Sequence, residues 1–230
     1  MERITKICWI LAEMTLVIVL AGLNRKVLPL YTKAGILGLL NTSDCVVMLI
    51  LAPWAISCGW RIFKIYNGPD DKLGSHLFIL GIFSLGLGFG MHEPFNAMQR
   101  LKLDPALHSL VTYFDDDLGH WLFFIGFAFT SLSVVLAETA NPYEKPLSKG
   151  PFSFGIFLGV IVAIVIWFQM RNEDTYVDII VLVLTVMAAE MARQCRGGVT
   201  LRRLPVLLAL HVGYGGGVLA TILYWSFSGR

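Results

Sequence analysis

The chain has 230 residues, 56% of them hydrophobic and 15% charged, whereas a soluble domain carries roughly 25% charged and 45–50% apolar residues. This composition excludes a disordered chain, a collagen-like chain and a small disulfide scaffold, and fits a water-soluble globule poorly. The net charge of +2, from 18 Lys+Arg against 16 Asp+Glu, is too small for nucleic-acid binding, which requires a clustered basic face.

A helix needs about 20 mostly apolar residues to cross about 30 Å of hydrocarbon. Seven runs meet that length: 7–27, 36–64, 75–92, 117–138, 152–170, 176–195 and 203–227. They predict an all-α, polytopic bundle of seven transmembrane helices forming one domain over 1–230. Irregular chain and open sheet edges cannot face lipid, and the runs are too long for barrel strands.

The first run is interrupted by Glu13 and shows no small-residue cleavage site, so it reads as a span and not as a signal peptide. Asp44 lies about two turns inside the second run. The Asn67-Gly68-Pro69-Asp70-Asp71-Lys72 turn leads to the third, which carries Gly81, Gly86, Gly88 and Gly90 and ends at His92 and Glu93. These glycines either let helices pack closely or leave room for a ligand.

The connection 93–116 mixes Phe95, Met98, Leu101, Leu107 and Leu110 with polar residues, and predicts a short interfacial helix. Asp104 as N-cap and Pro105 at the first helical position mark its start. Asp115, Asp116, Asp117 and His120 open the fourth run. The Asn141–Pro146 loop precedes the fifth, and the short turn Arg171-Asn172-Glu173-Asp174 makes the fifth and sixth runs antiparallel neighbours. Asp178 and Glu190 lie in the sixth. His211 lies about eight residues into the seventh, ahead of Gly213, Gly215, Gly216 and Gly217.

With seven spans the loops on the N-terminal side hold 11 Lys and Arg and those on the other side 7. By the positive-inside rule this bias puts the N-terminus in the cytoplasm. The four cysteines, Cys8, Cys45, Cys58 and Cys195, show no metal-finger spacing and no CxxC.

Ionisable groups at membrane depth are costly and are functional candidates by default. Asp116-x-x-x-His120 is the strongest local pattern, because residues four apart share one helix face. Divalent zinc accepts both imidazole nitrogen and carboxylate oxygen. His92, His120 and His211 with Asp116 therefore make an expected zinc site of three His and one Asp, or one that leaves a position for an activated water. Neutral imidazoles are required for such a site, so acid weakens it. His76 and His108 read as interfacial. Glu13, Asp44, Asp178 and Glu190 form a second set of intramembrane acids, of which Glu13, Asp44 and Glu190 are able to make a proton or cation path.

Gly90-Met91-His92, followed by Phe114-Asp115-Asp116-Asp117-Leu118-Gly119, resembles the alkaline ceramidase and adiponectin/progestin-type receptor superfamily of seven-helix proteins. The resemblance implies a zinc-dependent amide or ester hydrolase acting on lipids. It assigns His92 as first zinc ligand, Asp116 as the water-side acid and His211 as a last-helix ligand. That superfamily has two His four apart in its last helix; here position 215 is Gly.

The leading expectation is thus a membrane-embedded metal enzyme, with zinc as cofactor, acting on a lipid or other apolar substrate. A proton-coupled transporter is the alternative that the dispersed acids favour. A structural or haem-binding subunit that associates with other membrane proteins is the alternative favoured by short loops and apolar surface.

Overall fold

The computed structural model describes residues 2–26, 45–66, 72–99, 101–171 and 176–228. Asp44, the start of the second predicted span, the turn 67–71 and residues 172–175 lie outside the described residues. Among the described residues the chain is helical throughout, with no strand. The helices are α1 (Glu2–Lys26), α2 (Ala52–Tyr66), α3 (Lys72–Gln99), α4 (Pro105–Thr112), α5 (His120–Ala140), α6 (Lys149–Met170), α7 (Val177–Cys195), α8 (Pro205–Leu210) and α9 (Gly216–Ser228). Three π-helical segments, Val47–Leu51, Tyr113–Gly119 and His211–Gly215, join neighbours without a break.

Among the described residues, six helical stretches are long and apolar enough to cross a membrane: Glu2–Leu23, Val47–Tyr66, Lys72–Gln99, Pro105–Ala140, Lys149–Met170 and Pro205–Ser228. Helix α7 carries Asp178, Glu190 and Arg193 and is not among the six. The long connection expected over 93–116 is mostly helix. Helix α3 runs on through Pro94 to Gln99, and α4 continues through the π segment into α5. Asp104 caps α4 by accepting from Ala106 N and Leu107 N at 3.1 Å each, and Pro105 follows it, where its missing N–H costs nothing.

Glycine decides which helices touch most closely. A Cβ on Gly81 would lie 2.6 Å from Thr130 Cγ2, one on Gly126 would lie 2.5 Å from Leu85 N, and one on Gly88 would lie 2.5 Å from Phe123 N. Helices α3 and α5 therefore meet almost backbone to backbone. Gly159, Gly213 and Gly217 do the same between α6 and the last helix, against Val212, Val162 and Ile166. Gly86, Gly90 and Gly215 meet nothing within 4 Å, so close packing accounts for some of the glycines and not for these three.

One end of the bundle is tied by Glu138, which is fully buried. It accepts from Tyr66 Oη at 2.7 Å, from Val206 N at 2.9 Å and from Leu207 N at 2.8 Å. A carboxylate here satisfies two of the first-turn N–H groups of α8 and complements the helix dipole. Asn141 Nδ2 donates to Tyr66 O at 2.9 Å, and the Arg3 guanidinium lies over the Tyr66 ring.

Candidate functional site

The opposite end holds His92 and His120. The α3–α5 contact continues past Gly88 to Gly119, whose Cβ would lie 3.2 Å from His92 N. This close approach brings His92, near the end of α3, beside His120, at the start of α5. Their rings are 4.7 Å apart at 70°.

Each imidazole faces a buried aspartate through Nδ1. His92 Nδ1 is 2.6 Å from Asp115 Oδ1, and His120 Nδ1 is 3.5 Å from Asp178 Oδ1. Both aspartates are 2% exposed. The His92 contact is close but off the line of a good hydrogen bond. Gln99 Nε2 donates to Asp115 Oδ2 at 2.9 Å and reaches Asp116 Oδ2 at 3.4 Å. Glu93, also buried, follows His92 in α3. Phe95 stacks on Phe114 with ring centres 4.9 Å apart, pinning the end of α3 to the π segment.

The expected pairing of Asp116 with His120 is replaced by two others. Over Tyr113–Gly119 the backbone follows the i→i+5 pattern, so residues four apart no longer stack on one face. Asp115 is turned to His92, Asp116 to Gln99, and His120 is met by Asp178 from α7. Asp178 was legible as an intramembrane acid, but nothing local pointed to His120 as its partner. Gln99 lay in a stretch read as a connection and carried no signal.

His211 does not join this group. Its Nδ1 is 2.9 Å from Leu207 O and its Nε2 is 3.5 Å from Glu190 Oε2. Asp178 and Glu190 are twelve residues apart on α7, which is about 18 Å along a helix axis. His120 and His211 are thus met by different acids, set well apart along α7. Of the expected set His92, Asp116, His120 and His211, the structure gathers His92 and His120 with Asp115 and Asp178, sets Asp116 beside Gln99, and places His211 near the other end of α7.

The remaining acids have partners of their own. Glu13 takes Trp54 Nε1 at 2.6 Å and Arg61 at 2.7 Å. Glu190 takes Arg193 Nε at 2.8 Å and Gln194 Nε2 at 2.7 Å. His76 Nδ1 sits 2.6 Å from Lys72 O, and His108 lies exposed on α4.

A cavity of about 290 Å³ runs inside the bundle, close to the lower end of the roughly 300–1,000 Å³ usual for ligand sites. Its walls are almost wholly apolar. Phe89, Phe123 and Phe124 line its end nearest the histidines, and Phe78 and Val134 line it further along. Phe89 is three residues before His92 and Phe123 three after His120, so about one helical turn separates cavity and imidazoles. Two of its few hydroxyls satisfy each other, Ser131 Oγ lying 3.0 Å from Tyr214 Oη.

The donor chemistry suits a metal in part. A ligating histidine commonly gives its second ring nitrogen to a carboxylate, and Nδ1 of His92 and of His120 each lies near one. A third ligand does not assemble: among the described residues no group of three His, Cys, Asp or Glu is spaced to hold an ion. Comparison with protein-family models, with curated proteins and with solved structures returns no match for this chain.

Proposed function

We propose that the chain is a multi-pass membrane enzyme, a metal-dependent hydrolase acting on a lipid or other apolar substrate. The observation that carries this reading is the adjacent pair of imidazoles, His92 and His120, each turned by a buried aspartate. Ionisable groups are too costly at such positions to be incidental. With Nδ1 facing a carboxylate, Nε2 of each ring is the nitrogen assigned to chemistry.

His92 and His120 are the residues that would hold a divalent metal, zinc in this reading, which when bound supplies a polarising charge and an activated water. Asp115 and Asp178 fix the two ring orientations. Gln99 links Asp115 and Asp116, keeping the π segment against α3. Asp116 is the carboxylate assigned to take the water proton. The apolar cavity one turn away favours a substrate with little polar surface. The resemblance of Gly90-Met91-His92 and the Asp115–Asp117 run to the ceramidase and adiponectin-receptor superfamily points the same way.

In this reading α7 is the seventh crossing. Its 19 residues span about 28 Å, near the hydrocarbon thickness of about 30 Å, and its charged side chains have partners. The N-terminus is cytoplasmic by the Lys and Arg bias, and α4, with exposed Leu107 and Leu110, lies at the opposite interface.

The test is elemental analysis and an absorption spectrum of the purified full chain, with hydrolysis of a fluorogenic long-chain acyl ester. Stoichiometric zinc is expected, lost in H92A and H120A together with hydrolysis, and kept in H211A. A Soret band would overturn the reading in favour of a haem-binding subunit. Absence of both metal and hydrolysis would leave transport or a structural role in its place.

A further inference from the structure

At the end of the bundle away from the histidines, two loops are joined through their backbones. Tyr143 N donates to Arg203 O at 3.2 Å and Leu147 N to Arg202 O at 2.7 Å. Arg203 Nε also donates to Tyr143 O. This pairing brings the loop between α5 and α6 against the one between α7 and α8. Lys145, Lys149, Arg196 and Arg202 are all exposed there, and Glu144 is the single acid on the two loops.

Three other cations at this end are already engaged. Arg3 lies over the Tyr66 and Tyr143 rings and donates to Asn141 O at 3.3 Å. Lys6 pairs with Glu2 at 2.5 Å, and Arg193 with Glu190. Among the described residues, none of Lys145, Lys149, Arg196 and Arg202 forms an ion pair. Arg202 rests over the Phe152 ring at 5.0 Å, its charge beside the first turn of α6.

We infer that this paired-loop face binds the phosphate-bearing headgroup of an anionic phospholipid. Three of the four helices that flank these loops are long and apolar enough to span a membrane, one ending at Ala140 and two beginning at Lys149 and Pro205. Their cations therefore lie at headgroup level, where the nearest abundant anions are lipid phosphates. Clustered Lys and Arg beside membrane helices attract anionic headgroups with an energy that corresponds to about fivefold in affinity per charge. This site is separate from the hydrolase centre and does not depend on that reading.

The experiment uses the full chain in zwitterionic micelles and follows energy transfer from its 6 tryptophans to dansyl-labelled phosphatidylglycerol or phosphatidylcholine. Phosphatidylglycerol should bind more tightly, and added salt should erode the difference. The double variant Lys149→Gln/Arg196→Gln removes two side chains that form no hydrogen bond or ion pair among the described residues. It should cut the preference about 25-fold and leave thermal unfolding unchanged. Equal binding of the two lipids, or a full preference in the double variant, would overturn the inference. Inorganic phosphate displacing the lipid at comparable concentration would also overturn it, making a soluble phosphate the ligand.

Discussion

Gly88→Ala tests the packing that sets the two histidines side by side. The added Cβ would lie 2.5 Å from Phe123 N and 2.7 Å from Phe123 Cα, both backbone atoms. Ordinary contact begins near 3.4 Å, so α3 and α5 must part by about 0.9 Å. Neither helix can give locally, because Gly81 and Gly126 clamp the same interface. Overpacking of this kind costs about 1–3 kcal/mol. At roughly 2–4 °C per kcal/mol for a chain of this size, Tm should fall by about 2–12 °C. Gly86 and Gly90 provide the control on the same helix, since a Cβ on either meets nothing within 4 Å. Alanine there gains up to about 1 kcal/mol of helix propensity, so Tm should hold or rise. Thermal unfolding in micelles, followed by tryptophan fluorescence, reads all three. If Gly86→Ala and Gly90→Ala lose as much as Gly88→Ala, or if Gly88→Ala is neutral, the close α3–α5 contact is not what places His92 beside His120.

Glu138→Ala strips partners from a phenol and two backbone N–H groups at once, at about 1–3 kcal/mol each; it should give a larger Tm loss than Gly88→Ala. Glu138→Gln should fall between it and the parent, because one carboxylate oxygen becomes a donor facing donors; equal Tm values for all three would refute the tie. His211→Ala should leave zinc content at the parent level, and loss of metal in this variant would show that His211 reaches the His92–His120 centre after all. Single cysteines replacing Lys102 and Lys145 should label from opposite faces of sealed vesicles, and labelling from one face would break the proposed topology.

Helical spans were legible in the sequence because lipid offers no hydrogen bonds and each segment must satisfy its own backbone within about 20 residues. The Asp104–Pro105 start was legible for the same reason, cap and helix being neighbours in the chain. So was the cost of burying Asp115 and Asp178, which depends on residue type and depth alone. Pairing was not legible. Asp115 rather than Asp116 meets His92 because the chain takes a wider turn over 113–119, a choice made against α3 and not within the segment. Asp178 reaches His120, Glu190 reaches His211, and Tyr66 reaches Glu138 across 72 positions. Those meetings depend on how far each helix is rotated and slid against its neighbour. That is decided where glycine lets two backbones touch, so only the assembled bundle separates the His92–His120 centre from His211.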